Sequence, residues 1–73
     1  MAFQRVEGDE RALVLVNYDL QPRVIRLRRL QGGEWRGVFP QGAQGLQVDA
    51  RGRASVELPA QSVRVLLNSG RGP

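Results

Sequence analysis

RALVLVNYD, residues 11–19, decides how the rest of the 73-residue chain is read. Ala12 to Val16 and Tyr18 are apolar, and Asn17 is the polar interruption among them. Both alternating sets, Ala12/Val14/Val16/Tyr18 and Leu13/Leu15/Asn17, are mostly apolar. Val and Leu at this density in so short a run read as a strand. A strand that is apolar on both sides is expected to be covered on both faces, so Arg11 to Tyr18 belongs in the middle of a sheet.

Punctuation on either side supports the same reading. Ala2 to Val6 is a plausible first strand, and Glu7-Gly8-Asp9-Glu10 a hairpin turn in which Gly tolerates positive φ. After the opening stretch, Asp19-Leu20-Gln21-Pro22 makes the next turn, with Asp able to bond its own backbone and Pro fixing φ. A third strand is expected from Arg23 to about Arg28, with Ile25 and Leu27 inward and Arg26 and Arg28 in water. An amphipathic helix is the rival there, since Pro22 suits a first turn and Val24, Leu27 and Leu30 fall at helical spacing. Adjacent β-branched Val24 and Ile25 in so short a stretch favour the strand.

The remaining half repeats the pattern. Gln31-Gly32-Gly33-Glu34 turns into a strand from Trp35 to Phe39, which Pro40 ends by removing a donor. A loose loop, PQGAQG, follows. Leu46 to Val48 is a brief fifth strand, and Asp49-Ala50-Arg51-Gly52 a turn. Arg53 to Leu58 is the sixth strand, with Ala54, Val56 and Leu58 inward and Ser55 and Glu57 outward. Pro59-Ala60-Gln61 breaks the run before a seventh strand, Ser62 to Leu67, whose Val63, Val65 and Leu67 are expected to face the core. The polar, Gly-rich residues 68–73 read as a flexible tail. Seven short strands at this spacing predict an all-β fold, a small antiparallel two-sheet sandwich with Greek-key-like connections, occupying residues 1–67 as one domain.

Composition narrows the chemistry. The chain has no Cys and no His, so disulfide staples, thiolate metal sites, the commonest zinc ligand and the commonest general base are all missing. No catalytic residue, metal site or cofactor is expected. No window approaches the ~18 to 20 apolar residues of a bilayer span, and MAFQRVEGDE lacks the layout of a signal peptide. A soluble, cytoplasmic protein with no membrane partner is the expectation.

The net charge of +4 arises from eleven basic residues, all Arg, against seven acids. Most of the Arg residues are scattered, and Arg26, Arg28 and Arg29 form the cluster. These three are the candidate contacts of a basic interaction domain that binds nucleic acid. Stacking aromatics are few, however, and solvated strand faces explain the Arg residues as well, so no nucleic-acid partner is expected. Trp35 and Tyr18 are candidate carbohydrate-binding residues, because an exposed aromatic face can stack on a sugar ring. The competing reading packs Trp35 at a strand start with its indole N–H reaching a carbonyl, and sets Tyr18 at the rim. Asn17 is expected to bond backbone where its strand ends.

The ordered phrases AFQRVEGDE, ERALVLVNYD, LQPRVIRL, GEWRGVF and VELPAQSVRVLL span Ala2 to Leu67. Together they resemble the C-terminal β-sandwich domain of the α-amylase family of glycoside hydrolases, the group of maltogenic amylases and neopullulanases. VLVNYD and LPAQSVRVLL are the most specific of them. The resemblance implies a non-catalytic accessory domain, because the family's catalytic carboxyl groups lie on a preceding (β/α)8 barrel. The acids here agree: glycoside hydrolysis needs two carboxyls ~5 to 9.5 Å apart in a cleft, whereas Glu7, Asp9, Glu10, Asp19, Glu34 and Asp49 fall in or beside turns. The implied partner is an amylase-type catalytic domain or a second copy in a homodimer. The alternatives are a small α-glucan-binding module and a basic interaction domain.

Overall fold

The structure is a computed structural model and describes residues 1–68. Among the described residues seven strands follow in chain order: β1 (Ala2–Glu7), β2 (Glu10–Asn17), β3 (Arg23–Leu27), β4 (Gly33–Phe39), β5 (Leu46–Val48), β6 (Ala54–Leu58) and β7 (Ser62–Asn68). All pairings are antiparallel. One sheet runs β1-β2-β7-β4-β5, and β3-β6 form the second. The chain is thus a small two-sheet sandwich, and the stretch from Pro22 to Leu30 contains a strand, not the rival helix. No helix among the described residues is long and apolar enough to cross a membrane.

The turns form where the backbone chemistry allows them. Gly8 has φ +61 between the paired Glu7 and Glu10, as the first central position of a two-residue hairpin loop demands. The Asp49 carboxylate accepts from the amides of Arg51 and Arg53, both at 2.9 Å, and closes the β5–β6 turn. Pro40 follows the last residue of β4.

The core lies between the sheets. Leu13, Leu15, Trp35, Val48 and Leu66 from the larger sheet meet Leu27, Val56 and Leu58 from the smaller, with Leu30 beside them. Ile25 and Ala54 pack against this cluster while Arg26, Ser55 and Glu57 are exposed, as alternation predicts for β3 and β6.

Several expectations change. β2 lies inside the sheet, but β7 holds the centre. Nor is β2 covered along the whole of both faces: Leu13 and Leu15 are buried on one, whereas on the other Ala12 and Val14 are half-buried and Val16 is buried. The inward set of β7 is reversed. Leu66 is fully buried and Val63 is exposed, with Val65 and Leu67 half-buried on the outer face. The cause is register: Leu66 opposes Leu13 on β2 and Gly37 on β4, and pairing fixes which alternate set meets the core.

The loop after β4 is not loose. The Ala43 amide donates to Pro40 O over 2.9 Å, and the loop backbone lies so close to β4 that a Cβ on Gly37 would stand 2.3 Å from Ala43 O. Of the expected tail, Asn68 belongs to β7, is buried and donates to Glu34 O over 3.2 Å. Residues 69–73 lie outside the described residues.

Candidate functional site

Antiparallel register builds a continuous apolar row across the outer face of the larger sheet. Phe3 on β1 opposes Val14 on β2, Val14 opposes Val65 on β7, and Val65 opposes Phe39 on β4. The two Phe residues at the ends of the row are 53% and 55% exposed, and the Val residues between them are half-buried. On one side Val63 extends the exposed row, and Val16, which opposes it, is buried. On the other side Arg5 opposes Ala12, Ala12 opposes Leu67, and Leu67 opposes Arg36. The face therefore has an apolar middle and an exposed guanidinium at each end of the next row. Contiguous exposed apolar surface of this kind marks interaction sites.

The residues singled out from the sequence are placed differently. Trp35 is buried in the core, with 0% of its surface exposed, and its indole N–H donates to Gln31 O over 2.9 Å. It presents no ring face to a sugar, because β4 directs it between the sheets. Tyr18 is 72% exposed just beyond β2. The two rings do not form one platform, since one is enclosed and the other faces outward.

Arg26, Arg28 and Arg29 are all exposed. Arg26 and Arg28 line a shallow depression of about 490 Å³ together with Arg53, Asp49, Leu27, Ala54 and Ser55, whereas Arg29 does not line it. Arg53 joins because β3 and β6 pair Leu27 with Ala54. Sequence spacing carries no sign of that pairing. Backbone N–H bonds, led by that of Arg53, hold the Asp49 carboxyl below its ordinary value of 3.8. The depression therefore carries a carboxylate among its guanidinium groups.

Asn17 has the structural task expected of it. Its Nδ2 donates to the carbonyls of Gln21, Leu58 and Pro59, at 3.0, 3.2 and 3.0 Å, and its Oδ1 accepts from the Asp19 amide at 2.9 Å. Asp19 then accepts from the Arg23 guanidinium, which lowers its pKa below the ordinary 3.8. Among the described residues no three His, Cys, Asp or Glu gather into a group able to hold a metal ion.

Phe3 and Phe39 had no role in the sequence reading. The alternation of β1 carried a weak signal for Phe3, but nothing local shows that Phe39 lies in the same row across three intervening pairings. Compared with known proteins, the chain matches no family model, no curated protein and no solved structure.

Proposed function

We propose that this chain is a non-catalytic accessory domain that docks on a larger catalytic domain through the outer face of its five-stranded sheet. The observation that carries the reading is the row Phe3/Val14/Val65/Phe39, apolar and open to solvent at both ends. The ordered phrases that resemble the C-terminal sandwich of α-amylase-family enzymes supply the class of partner, a (β/α)8 barrel. Arg5 and Arg36 beside the row fit a surface with carboxylates around an apolar centre, where they would steer association and fix orientation. Once covered, Phe3 and Phe39 would act as the aromatic anchors of the contact.

The test mixes the protein with an α-amylase-family barrel whose own C-terminal domain has been deleted and follows the half-life of heat inactivation. Wild type is expected to lengthen that half-life. Phe39→Asp is expected to abolish the protection, while Leu20→Asp, an exposed position away from the face, leaves it intact. Protection by neither protein, or equal protection by wild type and Phe39→Asp, overturns the reading. Retardation in a starch-containing native gel, absent in its starch-free counterpart, would favour an α-glucan-binding module instead.

A further inference from the structure

The strand β1 is open in three directions. All six of its residues are exposed, including Ala2, Gln4 and Val6 on the side that faces the smaller sheet. Among the described residues its second edge is unpaired, because β1 ends the five-stranded sheet. The other end of that sheet is β5, a strand of three residues. Short length is a recognised way to blunt an edge, as are prolines, bulges and charged side chains. β1 is six residues long, has no Pro, carries charge only at Arg5 and Glu7, and pairs with β2 without a break from Ala2↔Leu15 to Glu7↔Glu10.

Backbone polarity limits how such an edge can be used. Met1 and Val16 exchange both hydrogen bonds, each at 2.8 Å, so the pair is of the hydrogen-bonded kind. Because this alternates along an antiparallel ladder, Phe3 and Arg5 also direct N–H and C=O toward β2. Ala2, Gln4 and Val6 direct theirs to the free edge. An added antiparallel strand must therefore oppose these three with residues of matching orientation.

We infer that the free edge of β1 pairs antiparallel with β1 of a second copy, in the register that sets Gln4 opposite Gln4. This register uses the whole edge, because Ala2 then opposes Val6, Gln4 opposes itself and Val6 opposes Ala2. It also sets Phe3 opposite Arg5 in the closer, non-hydrogen-bonded positions, where a guanidinium can lie over an aromatic face. A slip of two residues in one direction opposes Arg5 with Arg5 across the twofold axis, a like-charge pair. A slip in the other direction leaves Val6 beyond the pairing. A slip of one residue opposes groups that point away from each other. The partner is a second copy because the edge is self-complementary: the residue that matches Phe3 is Arg5 of the same strand, and an isologous contact satisfies both at once. The two five-stranded sheets become one of ten strands. This inference goes beyond docking through the outer face and stands without it.

The chain has no cysteine, so single Cys variants report the register directly. At the twofold axis Gln4→Cys places two Cα atoms about 5.5 Å apart, within disulfide range. Phe3→Cys and Arg5→Cys meet their own copies only diagonally, at about 7 to 8 Å. Oxidation is expected to cross-link Gln4→Cys at least tenfold faster than either neighbour. Sedimentation equilibrium of the wild-type chain is expected to give a dimer, and Gln4→Pro a folded monomer, since the lost N–H points away from β2. Val6→Lys, which adds a charge to the same edge, is the second dissociating variant if Gln4→Pro does not fold. Phe39→Asp is expected to remain dimeric, so this contact and outer-face docking fail separately. A wild-type monomer at all concentrations, a dimer that survives both edge variants, or faster cross-linking at position 3 or 5 overturns the inference.

Discussion

The side-chain amide of Asn17, at the end of β2, donates to the carbonyl of Leu58, at the end of β6, over 3.2 Å. One buried side chain thus ties the rim of the larger sheet to the rim of the smaller, and the carbonyls of Pro59 and Gln21 share the same nitrogen. Asn17→Ala leaves these acceptors and the Asp19 amide without that partner. A loss of about 1 to 3 kcal/mol is expected from buried or half-buried polar groups left unpaired. Asn17→Asp is expected to cost more, because a carboxylate there faces carbonyl oxygens. Urea unfolding midpoints check both.

The phase of β7 is tested by neighbouring leucines. Leu66 is enclosed by the core and Leu67 lies half-buried on the outer face. Leu66→Ala is expected to cost about 2 to 5 kcal/mol through lost contacts and an enclosed cavity. Leu67→Ala is expected to cost at most about 1.5 kcal/mol, since solvent fills the space. Equal costs in chemical denaturation would refute the reversed phase.

Gly37 is held to its identity by the loop after β4. A Cβ there would stand 2.3 Å from Ala43 O, a backbone atom with no side-chain freedom to move aside. Gly37→Ala is expected to destabilise the protein by about 1 to 3 kcal/mol. It is also expected to raise amide exchange in residues 40–45, measured by hydrogen–deuterium exchange.

Acid weakens the fold through two carboxylates. Hydrogen bonding from Arg23 holds Asp19, and the backbone N–H of Arg53 leads in holding Asp49, below the ordinary 3.8. A carboxyl whose folded pKa lies below its unfolded value stabilises the fold above the unfolded value. That contribution fades as pH falls through the folded value. The melting temperature is therefore expected to drop across the acid interval that begins near the ordinary 3.8 and extends below it. Asp19→Asn combined with Asp49→Asn is expected to make the drop shallower. Melting curves across that interval measure it.

Much of the fold was legible because strand alternation and turn chemistry are local. RVIRL and ASVEL carry one apolar and one polar set, so their inward residues could be named in advance. The turns at Gly8 and Asp49 rest on the φ of one glycine and the reach of one carboxylate. The candidate site was less legible. Trp35 and Tyr18 are alike in sequence as lone aromatics, and their opposite exposures arise because β4 directs Trp35 between the sheets while Tyr18 lies just beyond the end of β2.

From the sequence alone came the number of strands, their approximate limits, the turns between them and the all-β sandwich, since each depends on residues within a few positions of one another. Tertiary structure decided which face of RALVLVNYD is covered and which alternate set of β7 meets the core. It also decided that Phe3, Val14, Val65 and Phe39 share one row. Those outcomes depend on the pairing of strands distant in the chain. In β2 both alternate sets are mostly apolar, and in β7 the more polar set, Ser62/Arg64/Leu66/Asn68, is the one whose Leu66 meets the core, so local pattern does not choose the covered face; register and the extent of the covering sheet do.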